Sequence, residues 1–412
     1  MRDETKKISR LKIFFSLFTI AFLVAMTQLS SGMTPAHAAD DDDPLLGVRE
    51  GWAWPVVVIQ PPEGWDSEAG TSIKYAMRAA EREISIQREA IRGREVTFMF
   101  SDVNSIAELP SRLATWRAMK VSVIISFADS ELNLHLAELC RSSGPSVILA
   151  AGEDASLMNP QTGAPYQYLF ALDLPYYARA NALAIAAKRE RPEKKAAVIT
   201  DILSEKLARG AELNVELLRT SGVDVLDLSL AAYRQDQFTP QVADAIEGGY
   251  HVFTCWLDAM ATLSIWRSAA RRDDLSVVFY SGNQHKILLD ATGVVLVDKD
   301  VLLERDEKGK HDIIIKIRDY FDREPGDPVV AARAYTLARW AIGAYIASDS
   351  ETNERLSRAL GEVTDIPLMD EILSIDSRTH RPKSRKFGVL RITNRTYESS
   401  GSVEVFSVDV VE

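Results

Sequence analysis

Cysteine is almost absent from this chain, with two residues in 412. Cys140 and Cys255 lie far apart and lack CxxC spacing, which excludes a dense disulfide framework and a zinc site built on cysteine pairs. A single disulfide is allowed in an oxidising compartment, but the sequence favours two buried free thiols. No cysteine lies near Ala38, so a lipid-modified N-terminal cysteine is also excluded.

Catalytic motifs are missing as well. The chain has no GxSxG elbow, no HExxH pair and no Walker A loop. The histidines show no ligand spacing; they are His37, His135, His251, His285, His311 and His380. We therefore expect no enzymatic activity, no metal and no cofactor. An exported hydrolase with Asp201 and Asp258 as a carboxylate pair is the alternative, and it rests only on their positions at predicted strand ends.

Positive charge is scarce, because 48 Lys and Arg stand against 59 Asp and Glu, for a net charge of −11. Nucleic-acid binding needs clustered Lys and Arg to contact phosphates, so the composition excludes it as the function. With 46% hydrophobic and 26% charged residues, the chain is ordinary globular protein, long enough for two domains.

Long hydrophobic runs are missing except near the N-terminus. Basic residues precede the apolar run 13–26, and Ala36-His37-Ala38 is a small-x-small cleavage site. The run is shorter than the roughly 20 residues that span a bilayer, so we predict a signal peptide over 1–38, cleaved near Ala38, rather than an anchor helix. An acidic leader at 39–47 follows. The mature chain would carry 43 basic and 57 acidic residues, a net charge of −14, and lie in the periplasm.

What the chain does contain is a regular alternation of strands and helices. Residues 121–125 and 147–151 are short apolar runs typical of buried strands, and leucines at helical spacing lie between them. The alternation continues in two blocks, separated by an aromatic, extended stretch at 166–174. It ends in an antiparallel pair at 387–393 and 402–411. The pattern predicts an α/β fold with two doubly wound lobes.

The turn at 128–130 joins one of these strands to its helix. The first N–H groups of a helix have no intrahelical partner and favour an anion above the strand ends, where open α/β sheets bind ligands. The alternative is that Asp129 or Ser130 only caps the helix, which is the commoner use of these residue types.

Three segments of the chain occur in a characteristic order. They are AIRGREV at 90–96, leading into a strand that ends at Ser101-Asp102, the stretch 121–157, and AARAY at 331–335 on a late helix. In this order and spacing they resemble type I periplasmic binding proteins, in particular the leucine/isoleucine/valine-binding class of ABC-transporter receptors. The likeness covers essentially the whole mature chain, and no single segment is specific.

The resemblance implies two lobes that clamp a ligand between them and present the closed form to a membrane permease. The implied parts are lobe 1 at 48–167 and 298–377, lobe 2 at 168–297 and 378–412, and hinge crossings near 168–173, 293–297 and 378–386. The partners would be a small polar ligand and the permease of an ABC transporter, with the protein a monomer. The alternative is a ligand sensor that signals to a receptor or kinase.

In lobe 1 the resemblance places four ligand-binding residues. Ser130 matches a serine that holds the ligand carboxylate, and Trp65 matches an aromatic of the pocket wall, although it could be a plain loop aromatic. Gly152 fits a small residue after the fourth strand, whereas Glu153 stands where Thr or Ser is usual. A carboxylate there would repel a ligand carboxylate unless it turned away or were protonated; Glu153 could also be a solvated loop charge. We therefore expect a small polar ligand, such as an amino acid or derivative, an amide or a similar molecule, rather than a standard branched-chain amino acid.

In lobe 2 the resemblance places four more. Leu203 stands in place of the first residue of a common Tyr-Gly pair, and Asn283 in place of an acidic residue that binds the ligand amine. Asp258 replaces an aromatic, with Trp256 beside it. Asp258 could instead cap its own helix, and Trp256 could serve only for packing.

Overall fold

A computed structural model describes most of the chain between residues 53 and 406. The described ranges are 53–86, 95–151, 157–174, 176–190, 194–201, 203–230, 235–258, 260–264, 276–280, 293–298, 312–348, 352–368, 371–393 and 396–406. The predicted signal peptide and acidic leader lie outside these ranges, as do the predicted site residues Gly152, Glu153 and Asn283.

The first sheet is parallel, with strand order β2-β1-β3-β4-β5. Its strands are β1 (Ala53–Ile59), β2 (Glu95–Ser101), β3 (Val123–Ser126), β4 (Ser146–Leu149) and β5 (Leu169–Ala171). The helices between them are α1 (Glu68–Ile86), α2 (Leu109–Ala118) and α3 (Ser130–Cys140). Because strand side chains alternate, Val56 and Val58 face α1 while Val57 and Ile59 face α2 and α3. The sheet is therefore covered on both faces.

The second sheet has strand order β16-β15-β10-β9-β8-β6-β7. Its strands are β6 (Lys195–Asp201), β7 (Asp224–Leu230), β8 (Val252–Trp256), β9 (Ser276–Tyr280), β10 (Gly293–Asp298), β15 (Ser384–Thr393) and β16 (Thr396–Phe406). Its helices are α4 (Tyr176–Glu190), α5 (Glu205–Thr220) and α6 (Gln235–Glu247). The first five strands are parallel, and the last two add an antiparallel pair.

After β10 the chain returns to the first sheet. This part comprises α7 (Asp312–Phe321), α8 (Pro328–Ser348), α9 (Asn353–Glu362), the hairpin β11 (Ile366–Leu368) with β12 (Glu371–Leu373), and the ribbon β13 (Ile375–Asp376) with β14 (Arg381–Pro382). Apolar residues of α8, α9 and the hairpin share one core with β1 and α1. Within the ranges given above, none of the helices combines the length and the apolar character needed to span a bilayer.

The predicted fold class and the C-terminal antiparallel pair are confirmed. Two predicted crossings contain strands of the sheets, and two short strand pairs were not predicted. The stretch 293–297, one of these crossings, lies in β10, inside the second sheet. The stretch 168–173, predicted as a crossing, contains β5, the edge strand of the first sheet. The hairpin and the ribbon are not evident from the sequence, because each of their strands has only two or three residues.

A half-buried polar cluster ties α1, α7 and α8 together. Lys316 Nζ donates to Glu83 Oε1 at 2.8 Å and to the Tyr335 hydroxyl oxygen at 2.9 Å, and the Tyr335 hydroxyl donates to Glu83 Oε2. Burial opposes ionisation of Glu83, but the bonds from Lys316 and Tyr335 outweigh it and lower the pKa of this carboxyl. The cluster is therefore most stable with Glu83 ionised.

We expect Glu83→Gln to lower the free energy of unfolding by about 1–2 kcal/mol at neutral pH, discounted for partial exposure. Because the folded pKa is lowered, the contribution of Glu83 is present above its unfolded pKa and is lost as pH falls through the folded pKa. The loss caused by the substitution should therefore shrink in acid. Urea unfolding of both proteins across acid and neutral pH measures this, with Glu212→Gln, in the exposed pair with Arg209, as control. An equal loss at every pH would contradict the account.

Candidate functional site

The carboxyl ends of parallel strands meet at one edge of each sheet, where ligands bind in α/β folds. In the first sheet β1 and β3 are neighbours, and the backbone N–H of Phe127 donates to the Ile59 carbonyl at 3.2 Å. The loop 60–67 and the turn 127–130 therefore start side by side. In the second sheet β6 and β8 are neighbours, so the residues after Asp201 and after Trp256 share one edge.

The loop that carries Trp65 is folded tightly onto the start of α1. Gly64 has a φ of +80°, and the Ser67 hydroxyl donates to the Gly64 carbonyl at 2.7 Å. The same hydroxyl oxygen accepts the N–H of Gly70 at 2.9 Å and so caps the helix. A Cβ on Gly70 would lie 2.3 Å from the Gly64 carbonyl oxygen and 2.6 Å from Trp65 Cα. Only glycine allows this approach.

Trp65 is 8% exposed and packs edge-on against Phe100, with ring centroids 5.1 Å apart. The ammonium of Lys74 lies 5.5 Å from the centre of its ring. Its indole Nε1–H has no acceptor among the residues that the structure describes. Trp65 is therefore held in place in lobe 1, and its buried N–H donor lacks an acceptor among the described residues. Its contact with a ligand stays a prediction.

Ser130 is the first residue of α3 and is exposed, while Asp129 is the N-cap. Asp129 Oδ1 accepts the N–H of Leu132 at 2.8 Å, so the capping alternative holds for Asp129. The Asp129 carboxylate places a negative charge at the N-terminus of α3. Ser130 follows it directly in the chain, and Glu131 is a second acidic residue in the first turn. This charge offsets the attraction of the helix end for an anion. The Ser130 hydroxyl remains available to a neutral or cationic group.

Leu203 is 61% exposed at the end of β6. Asp201 Oδ1 accepts its N–H at 3.0 Å, and Ser204 caps α5 by accepting the N–H of Leu207 at 3.4 Å. The polar side chains of this turn are thus used by its own backbone, and the turn presents an apolar side chain to solvent.

Trp256 closes β8 and is buried. Its ring lies against α5, where a Cβ on Gly210 would come within 2.1 Å of Trp256 Cζ3. The Trp256 ring therefore packs in the core formed with α4 and α5, which was the alternative to ligand binding. In the described part of the chain its indole Nε1–H has no acceptor, so a ligand contact stays a prediction.

Asp258 is exposed and caps the short helical stretch 260–264. Its Oδ1 accepts the N–H of Ala261 at 2.7 Å, which is the capping alternative. Met260, two residues further along the chain, is 58% exposed and was not identified from the sequence. Asp201 and Asp258 both accept backbone N–H bonds of their own loops. That use gives no support to a catalytic carboxylate pair.

Two segments that connect the sheets are bonded to each other. The backbone N–H of Ala171 donates to the His380 carbonyl at 3.1 Å, and the His380 ring stacks on Phe170 with centroids 4.3 Å apart. Burial lowers the pKa of His380. Arg381 is buried and donates to the Asp173 carbonyl. The segment 169–173 and the ribbon β13–β14 thus form one ordered connection.

Cys140 and Cys255 are free and buried, as the sequence favours. Burial raises the pKa of each thiol to about 12. Neither is a reactive thiolate at neutral pH. Across the described ranges, no three His, Cys, Asp or Glu side chains are grouped as metal ligands.

The fold and the paired strand-end loops define a ligand-binding protein of two α/β lobes. The chain matches the family model described as periplasmic binding protein over residues 53–396, and it belongs to this family. The predicted family is thereby confirmed. No curated protein matches the sequence.

Several solved structures share the fold at low sequence identity. Leucine-binding protein LivK from Thermotoga maritima is 16% identical, with a TM-score of 0.60, over 85% of this chain and 98% of that one. LivJ from Streptococcus pneumoniae, in complex with isoleucine, is 17% identical, with a TM-score of 0.60, over 85% and 99%. A solute-binding protein from R. palustris, in complex with benzoate, is 14% identical, with a TM-score of 0.57, over 87% and 98%.

Proposed function

We propose that this chain is the extracytoplasmic substrate-binding protein of an ABC transporter, which clamps a small polar ligand between its lobes and delivers it to a membrane permease. The observation that carries the proposal is the pair of α/β sheets within the family match, each with loops at the carboxyl edge of its parallel strands. The proteins of similar fold include receptors for leucine, isoleucine and benzoate, which supports a small ligand. The protein is a carrier without enzymatic activity.

The proposed lobes keep the predicted boundaries, 48–167 with 298–377 and 168–297 with 378–412, except that β5 (Leu169–Ala171) pairs in the first sheet and so belongs to lobe 1. The signal peptide at 1–38 would direct the chain to the periplasm, where it acts as a monomer. The common core of α8, α9 and the first sheet supports the assignment of the later segment to lobe 1.

The ligand's chemistry follows from what each lobe presents. Lobe 1 offers the Ser130 hydroxyl beside the carboxylates of Asp129 and Glu131, which favours a cationic or neutral polar group. Lobe 2 offers the exposed apolar side chains of Leu203 and Met260. We therefore propose an amide or amine that also carries an apolar group.

Leucinamide should bind more tightly than leucine, because it keeps the amine and the side chain but lacks the carboxylate. A carboxylate near Asp129 would cost about 1–4 kcal/mol at 4 Å, roughly fivefold or more in affinity. A thermal-shift assay checks this, since a ligand that binds only the folded state raises the melting temperature. Putrescine, glutamine and benzoate complete the panel.

A leucine shift equal to or larger than that of leucinamide would contradict the proposed ligand class. If no member of the panel raised the melting temperature while a chromogenic ester or glycoside was hydrolysed, the transport proposal itself would be wrong.

A further inference from the structure

A buried polar pair lies directly beneath the loops of lobe 1. Asn133, in α3, is 3% exposed, and the Ser126 hydroxyl at the end of β3 donates to Asn133 Oδ1 at 2.6 Å. The Ser126 oxygen also accepts the N–H of Ala128 at 3.3 Å. Burying an amide raises the free energy of the folded state unless the amide is hydrogen-bonded. The groups bonded to Asn133 therefore indicate what its side chain does in the fold.

The other end of the Asn133 amide reaches two loops at once. Its Nδ2 donates to the Ala128 carbonyl at 2.9 Å and approaches the Ala151 carbonyl oxygen at 3.5 Å. Ala128 lies two residues before Ser130, in the turn after β3. Ala151 follows β4 and is covalently bonded to Gly152. One side chain therefore links the turn that carries Ser130 to Ala151, just after the carboxyl end of β4.

We infer that Asn133 is a positioning residue, which fixes the turn carrying Ser130 relative to the loop after β4 and so sets the lobe 1 half of the ligand site. This inference rests on the proposed function for its effect on binding. The contacts themselves are independent of any ligand. Without the amide, both carbonyls lose a buried donor and the two loops are free to separate.

Asn214 supplies a matched control in lobe 2. It is also buried, its Oδ1 accepts the Thr254 hydroxyl at 2.8 Å, and its Nδ2 donates to a carbonyl at 2.9 Å. That carbonyl belongs to Ala180, in the middle of α4 rather than at a strand end. Asn133→Ala and Asn214→Ala thus remove the same bonding pattern, but only the first releases strand-end loops.

Hydrogen exchange of the ligand-free protein is the first test. Asn133→Ala should raise exchange at the amides of Ala128 and Ala150 by roughly tenfold or more, while Asn214→Ala should leave them unchanged. Ser126→Ala, which removes the donor to Asn133 Oδ1, serves if Asn133→Ala fails to fold; it is read only at Ala150, because Ser126 Oγ itself accepts the N–H of Ala128. Unchanged exchange at both amides in Asn133→Ala, or at Ala150 in Ser126→Ala where that variant is used, would overturn the inference.

Titration with leucinamide, or with the panel compound that shifts the wild type most, is the second test. Affinity should fall roughly tenfold in Asn133→Ala and stay within about twofold in Asn214→Ala. Equal affinities of wild type and Asn133→Ala would overturn the inference and leave the proposed function standing. If no panel compound binds the wild type, the proposed ligand class fails, and the exchange data alone decide the positioning role.

Discussion

Gly70→Ala is expected to remove most ligand affinity and to lower the free energy of unfolding by about 3 kcal/mol, at the upper end of overpacking effects. The added Cβ would meet backbone atoms, Gly64 O at 2.3 Å and Trp65 Cα at 2.6 Å. Backbone cannot rotate away as a side chain can, so the whole loop 60–67 must lift off α1. Trp65 would then leave its place against Phe100, and the wall of lobe 1 would open.

Gly361→Ala is the matched control for this substitution. Gly361 also lies in a helix, α9, but a Cβ there would be 3.7 Å from its nearest neighbour, which is ordinary contact. It should be neutral, or stabilising by roughly 0.4–1 kcal/mol. Chemical unfolding and leucinamide titration of both variants measure the contrast. If Gly70→Ala and Gly361→Ala had the same free energy of unfolding and the same affinity for leucinamide, the loop 60–67 would not be tightly packed on α1.

Arg381→Ala is expected to lower the free energy of unfolding by roughly 3 kcal/mol, because a buried charge-assisted bond and its packing are lost together. Arg381 is 1% exposed and donates to the Asp173 carbonyl, next to the first sheet's edge strand β5. Its loss would separate the ribbon β13–β14 from residues 169–173. Unfolding should then become less cooperative, since the two lobes would no longer share this connection.

Arg378→Ala is the control, because Arg378 lies in the turn of the same ribbon with its side chain largely in solvent. It pairs with Asp376 at 3.0 Å. The Asp376 carboxylate is buried, but it also accepts the backbone N–H of Arg378 at 2.9 Å, a bond that the substitution keeps. Arg378→Ala should lower the free energy of unfolding much less than Arg381→Ala does. Equal losses, measured by calorimetry, would show that Arg381 has no special role in the connection.

The layered fold could be read from the sequence because its signals are local. Apolar runs such as 121–125 and 147–151 mark buried strands, and the helix between them follows a 3.6-residue period. Short elements carry no such period. The strand β5 and the ribbon β13–β14 form because distant segments meet, through contacts such as Ala171 with His380, and these are invisible in a linear pattern.

The site was less accessible to sequence reasoning than the fold. Residue type indicated polar groups at strand ends, but not whether they face a ligand or their own backbone. Asp129 and Asp258 both cap helices, and the backbone geometry of each turn determines this use. Asn133 was missed because it lies among leucines on the buried face of α3, and the one available signal was an amide on an otherwise apolar face.

Ligand-induced closure of the two lobes is the central claim. In the first sheet β2 is at the opposite edge from β5, and in the second sheet β6 lies away from β15, which follows the ribbon, so the separation between the segments after β2 and β6 should change most. Spin labels on Ala107→Cys, after β2, and on Arg209→Cys, in α5 after β6, report it. The native thiols do not compete, because burial raises the pKa of Cys140 and Cys255 to about 12.

The measurement is the label-to-label distance by pulsed electron spin resonance, with and without the panel compound that raises the melting temperature most. We expect a shorter and narrower distance distribution when that compound is bound, because the compound stabilises the closed form through its higher affinity for that form. An identical distribution at saturation would contradict the clamp.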